Sequence, residues 1–170
     1  MSEKRFSWKD HVPATFSSIL FISQIIVGVY LVSEVSQNEI LAYAGVGLYV
    51  FSGMVFGVLP IFEFRKKGGV RKGQSYVCTT KLVDSGIYSV VRHPQYVTFM
   101  LWSLAGMLLF QHWFIVLLGI PIFPLTYIDL IKADRDAIEK FGDHYKAYMK
   151  KVPRANFLLG IVRRFRENEA

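Results

Sequence analysis

Cysteine is almost absent: Cys78 is the only one in 170 residues, so no internal disulfide can staple the chain. A reducing compartment suits it, and an ordinary unreactive thiol accounts for it. Formal charge is missing from three whole windows, residues 11–33, 40–62 and 93–128. That excludes an ordinary soluble domain, whose buried helices keep a polar face. Metal-ligand spacing is missing as well, since His11, His93, His112 and His144 are scattered. No Ser-His-Asp or Cys-His arrangement can be justified by spacing, so no catalytic residue is named. Gly45 and Gly47 lack the preceding strand and third glycine of a nucleotide loop, and read as helix-packing positions.

What is present is apolar: 52% hydrophobic and 15% aromatic residues. The first two uncharged windows each exceed the roughly 20 residues a spanning helix needs. The third would be about 54 Å long as one helix at 1.5 Å per residue, well beyond a bilayer core of about 30 Å. It must fold back, and the polar pair Gln111-His112 marks the turn. The expected fold class is therefore all-α, a single polytopic membrane domain over residues 1–170 with about four transmembrane helices. The spans fall at residues 13–32, 40–62, 96–110 and 113–131, the last two a helical hairpin. Residues 1–63 form a two-span scaffold, 64–154 the functional half, and 155–170 a basic tail.

The 20 basic residues divide as three before the first span, seven between the second and third, and ten after residue 131. None falls in the other two connections. By the positive-inside rule both termini are cytoplasmic. The net charge of +7 is thus mostly topology, and nucleic-acid binding is not expected because the basic residues are split among three flanks. The first apolar run is longer than a signal-peptide core of roughly 7 to 15 residues and lacks a small-residue cleavage site, so it is expected to stay in the mature chain.

Gly53 and Gly57 in the second span form a small-xxx-small pair that invites close helix approach. A basic loop over residues 64–80 follows, suited to anionic lipid headgroups. Pro121 and Pro124 should kink the fourth span. Beyond Asp129, the apolar residues Ile138, Phe141, Tyr145, Tyr148, Met149 and Val152 recur at three and four, which predicts an amphipathic helix at the cytoplasmic interface. The tail carries an apolar patch over residues 157–162 beside Arg163, Arg164 and Arg166, read as an interfacial anchor with disorder at its very end.

Between the basic loop and the hairpin lies Gly86-Ile87-Tyr88-Ser89-Val90-Val91-Arg92-His93-Pro94-Gln95-Tyr96, a polar, ring-rich stretch at the membrane edge. With the preceding Leu82-Val83-Asp84-Ser85 and the later Phe141-Gly142-Asp143-His144-Tyr145, Tyr148 and Val152-Pro153-Arg154, it resembles the isoprenylcysteine carboxyl methyltransferase and phospholipid methyltransferase family of integral membrane enzymes. The resemblance covers residues 81–154. It implies a methyltransferase that holds S-adenosylmethionine in a cytoplasm-facing pocket and releases S-adenosylhomocysteine. The cofactor contacts it implies are Lys81, Leu82, Val83, Tyr88, Arg92, His93, Pro94, Gln95 and Tyr96. Tyrosine faces suit a sulfonium cation, and Arg92 or His93 suit carboxylate or ribose oxygens.

Two positions depart from the family. Its Glu-Glu pair falls on Ala133-Asp134, leaving Asp134 as the one acidic cofactor contact. Where the carboxyl methyltransferases carry a substrate-binding arginine, this chain has Asp129. The expected acceptor is therefore a membrane lipid or lipophilic molecule presenting an amine or other non-carboxylate group to Asp129. An ammonium of pKa near 10.4 must first lose its proton, at about 4.6 kcal/mol at pH 7. Two other readings stay open. Membrane sterol reductases share the Arg-His-x-x-Tyr loop but use NADPH, and a relative without catalysis would keep the fold while Ala133 spoils the pocket.

Overall fold

The computed structural model describes residues 8–34, 37–71 and 73–169. Lys4, Arg5 and Lys72, which enter the charge argument above, lie outside them. Among the described residues the regular structure is helical, without a strand. Helix α1 spans Trp8–Leu31 and α2 spans Glu39–Ser52, the latter started by Asn38, whose side chain accepts from the Leu41 N–H. A π-helical turn, Gly53–Val58, carries α2 into α3, Leu59–Lys67. Pro60 has no N–H to return to the preceding turn, and the ladder widens here, with the Leu59 N–H bonding the Met54 carbonyl. Gly68 ends the rod, and Arg65, Lys66 and Lys67 in its last turn suit the negative end of the helix dipole.

After the loop, a 3₁₀ turn at Gly86–Ser89 leads into α4, Pro94–Phe110, with proline at its first position where no N–H is needed. Helix α5, Trp113–Gly119, and α6, Ile122–Phe141, follow. The expected kink is a break at Ile120-Pro121. Pro124 lies in the first turn of α6, where a missing donor costs nothing. Helices α7, Asp143–Lys151, and α8, Phe157–Glu169, complete the chain.

Three helical stretches are long and apolar enough to cross a bilayer: Val12–Leu31, Glu39–Lys67 and Trp113–Phe141. The chain is an integral membrane protein. The expected third of four, Pro94–Phe110, is apolar but only 17 residues long. It sits at the centre of the bundle, packed against α1, α2, α5 and α6. Two expectations need correction. The predicted single amphipathic helix is two, because Gly142 at φ +59 breaks it between α6 and α7. Its apolar stripe is also turned on the protein itself: Tyr145, Tyr148 and Val152 form a buried cluster with Leu82, Ile138 and Phe141. And the tail, expected to end in disorder, is helical through Glu169.

Three glycines of the second span, Gly45, Gly53 and Gly57, are where α4 approaches, while Gly47, expected as a packing position too, is open. A Cβ on Gly53 would meet the Trp102 ring at 3.3 Å, and one on Gly57 would meet Thr98 at 3.5 Å. Gly45 is tighter, since a Cβ there would lie 2.8 Å from the Ala105 carbonyl and 2.9 Å from the Leu109 nitrogen. Gly45→Leu is expected to push α2 off α4 and cost at least the roughly 1 to 3 kcal/mol of an overpacked core, measured as a lowered unfolding temperature in detergent. Gly47→Leu, where a Cβ meets nothing within 4 Å, should leave that temperature unchanged. Inside the bundle, Gln24 is buried but satisfied: its amide donates to the carbonyls of Ser103 (3.0 Å) and Ile115 (3.3 Å), and its oxygen accepts from the Ser103 hydroxyl at 3.1 Å. At the opposite end of α4, Gln111 in the left-handed region clasps Asn38, each accepting from the other at 2.9 Å.

Candidate active site

The backbone first brings the site together. The Arg92 and His93 N–H groups donate to the carbonyls of Pro153 (3.0 Å) and Arg154 (3.3 Å), tying the stretch before α4 to the segment after α7. Both chains thereby face α6, and one carboxylate there gathers their side chains. Asp134 is 3% exposed. Its Oδ2 accepts from Arg154 Nε at 2.6 Å and Arg92 Nη2 at 3.0 Å, and its Oδ1 accepts from the Tyr145 hydroxyl at 2.7 Å. His93 Nε2 lies 2.7 Å from the same Oδ1. A carboxylate only accepts, so that nitrogen carries the proton.

Around this carboxylate the tyrosines act as fixed donors. Burial, reinforced by the hydrogen bond to Asp134, pushes the Tyr145 phenol well above its ordinary range, so it remains protonated. Burial does the same to Tyr148, which donates to the Tyr88 carbonyl at 2.5 Å. Burial alone would lower Arg154, but its bond to Asp134 outweighs that and holds it above its ordinary value. Tyr88, itself raised by burial, stacks on Phe64 with centroids 4.5 Å apart.

These groups border a cavity of about 100 Å³. Of the expected cofactor contacts, Lys81, Leu82, Val83, Tyr88, Arg92 and His93 line it. Pro94, Gln95 and Tyr96 do not. Pro94 is buried as the first residue of α4, while Gln95 and Tyr96 turn to a second cavity. Asp134 is behind the wall, holding Arg92 and His93. Phe64, Thr79 and Ala137 stand on the wall without a signal in the sequence, while Phe141, Tyr145, Tyr148 and Arg154 were expected only as stripe or motif positions and not as site residues. Phe141, Tyr145 and Arg154 lie in the Phe-Gly-x-x-Tyr and Val-Pro-Arg blocks and Tyr148 between them, and the spacing of these blocks from Arg92-His93 was the signal that could have found them.

The wall suits a nucleoside carrying an amino acid. Its rings offer faces for a base, and Arg92 has a buried Nε–H with no acceptor, a donor fit for a carboxylate or hydroxyl oxygen. Its volume is below the roughly 300 to 1,000 Å³ of sites for drug-sized ligands. Entry of such a molecule therefore requires wall side chains, or residues 79–85 with no regular structure, to swing outward.

The second cavity, about 280 Å³, lies where α1, α4 and α6 meet. Ser17, Gln95, Tyr96, Thr126 and Asp129 are on its wall. Thr126 is 1% exposed, and its hydroxyl has no hydrogen-bond partner. Asp129 is buried, with Lys132 Nζ at 3.8 Å. The two cavities flank the first turn of α4, where the His93 and Tyr96 rings meet edge to face at 5.9 Å.

Residues 74–139 match the isoprenylcysteine carboxyl methyltransferase (ICMT) family. A similar protein is the protein-S-isoprenylcysteine O-methyltransferase of Schizosaccharomyces pombe, 31% identical over 114 residues, an alignment covering 61% of this chain and 48% of the relative. The chain spans about half the length of that curated relative. No solved structure matches. The matched segment holds most of the loop, all of α4 and α5 and most of α6, so the similarity to that family falls on the part of the chain that carries Arg92, His93 and Asp134.

Proposed function

We propose that this chain is an integral membrane methyltransferase that uses S-adenosylmethionine. The observation that carries the reading is the unpaired, buried Arg92 Nε–H beside a ring-walled cavity, with Arg92 and His93 both held by Asp134. Lys81, Leu82, Val83, Tyr88, Arg92 and His93 would hold the cofactor. When bound, S-adenosylmethionine supplies an electrophilic methyl group on a sulfonium. The chain's own part is to orient the two partners and exclude water, which together can supply most of the acceleration. Arg92 binds an oxygen, the tyrosine rings cover the cation, and Asp134 keeps both Arg92 and His93 from turning to solvent.

The acceptor is lipophilic, and its reactive group is an amine or another non-carboxylate group. Asp129, buried on the second cavity beside the unpartnered Thr126 hydroxyl, favours a cation or a hydrogen-bond donor and disfavours a prenylcysteine carboxylate. The distribution of basic residues supports a topology with both termini in the cytoplasm, near anionic headgroups.

Calorimetric titration of the detergent-solubilised protein with S-adenosylmethionine and S-adenosylhomocysteine tests the cofactor. His93→Ala leaves Arg92, Tyr145 and Arg154 on Asp134, so the variant should fold. The loss of one hydrogen bond involving a charged group, about 1.5 to 3 kcal/mol, should weaken binding tenfold or more. Absence of binding to a folded wild-type protein would sink the reading, and a heat of binding for NADPH would replace it.

A further inference from the structure

Helix α8, Phe157–Glu169, plays no part in the cavities, yet it touches the stretch that carries Arg92 and His93. Gly160 is buried because a Cβ there would overlap the Val90 carbonyl. One turn earlier, Phe157 packs on Phe56 of the π-helical turn, with centroids 5.0 Å apart. Phe56 in turn belongs to the buried cluster with Val91 and Val97, on either side of Arg92-His93. The start of α8 is thus seated on both neighbours of the site.

The opposite face of α8 is exposed among the described residues. At about 100° per residue, Leu158, Ile161, Val162 and Phe165 form a stripe turned away from Gly160, and all four are exposed, Leu158 at 65% and Phe165 at 66%. Arg166 lies along one edge of that stripe, and Arg163, further round the helix, donates from Nη1 to the Lys151 carbonyl at 3.3 Å. With 13 residues, α8 is too short to span a bilayer. An apolar stripe edged by arginine matches one surface, the headgroup boundary of an anionic leaflet. Exposed Lys150 and Lys151, at the end of α7, extend the basic edge.

We infer that α8 is a membrane-surface sensor for the site: seating on an anionic leaflet holds Gly160 against Val90 and so keeps Arg92 and His93 on Asp134. The linkage is short. Val90 is two residues from Arg92, whose N–H and that of His93 are bonded to Pro153 and Arg154, just ahead of α8. Releasing α8 loosens both strands of that bridge, and the two side chains lining the cavity go with them.

The test uses the full chain in phosphatidylcholine bilayers with and without phosphatidylglycerol, with two readouts. One is hydrogen exchange of the peptide covering residues 86–93. The other, which rests on the cofactor reading, is affinity for S-adenosylhomocysteine. Anionic lipid should slow exchange and tighten binding several-fold. Arg166→Gln should match the wild type in phosphatidylcholine and, at about fivefold per basic residue at an anionic surface, show a response to phosphatidylglycerol weaker by about fivefold. Gly160→Leu, which lifts α8 off Val90, should show fast exchange in both bilayers. Equal exchange of the wild type in the two bilayers overturns the inference, even if S-adenosylhomocysteine binds. Slowed exchange without any binding supports it and overturns the cofactor reading instead.

Discussion

Replacing Asp134 with alanine is expected to destabilise the protein by about 3 to 5 kcal/mol, the cost of removing one partner from a buried ion pair, and to abolish cofactor binding. The Arg92 side chain is 5% exposed and that of Asp134 4%. Without the carboxylate, a buried guanidinium stays uncompensated, and His93, Tyr145 and Arg154 lose their shared acceptor as well. Asp134→Asn keeps the shape but not the charge, so it should fall between the two in stability while still failing to bind. Equilibrium unfolding in detergent, followed by titration with S-adenosylhomocysteine below the variant's transition, measures both effects. An alanine variant within about 0.5 kcal/mol of the wild type, where ordinary surface substitutions fall, would mean that the cluster is not the organising feature of the site.

Asp129→Arg should reverse the chain's choice of acceptor. Two unit charges 4 Å apart at an effective dielectric of 20 interact by about 4 kcal/mol, so exchanging attraction for repulsion should slow methylation of a lipid amine by at least about a thousandfold. The same change should admit a carboxylate acceptor that the wild type rejects. Methyl transfer to lipid amines and to prenylated carboxylates, compared in the same vesicles, measures the reversal. Thr126→Ala removes only the unpartnered hydroxyl and should have a much smaller effect, confined to acceptors that can hydrogen-bond to it. Unchanged amine turnover in Asp129→Arg would leave Asp129 as a structural neighbour of Lys132.

Much of the fold was legible because uncharged runs longer than a bilayer leave few arrangements. The windows 11–33 and 40–62 become α1 and the α2–α3 rod, and the third run turns at Gln111-His112 where the only polar pair allows. The wall residues from Lys81 to His93 were legible only through spacing shared with a family, since no local pattern distinguishes a cofactor loop from a basic connector. The break at Gly142 went unseen because a three-and-four apolar rhythm continues across it. Nothing in that rhythm says whether the stripe faces lipid or protein.

By itself the sequence determined that this is a helical membrane protein, since charge placement and run length are properties of the chain alone. The tertiary structure decided which groups meet. Arg92, Asp134, Tyr145 and Arg154 are separated by up to 62 residues, and only the backbone bridge from 92–93 to 153–154 and the packing of α6 beside it bring them within hydrogen-bonding distance. It also decided that Gln95 and Tyr96 leave the first cavity for the second, because a helix starting at Pro94 turns successive side chains about 100° apart. Long-range convergence of that kind depends on how the helices pack in three dimensions, which no local pattern along the chain records.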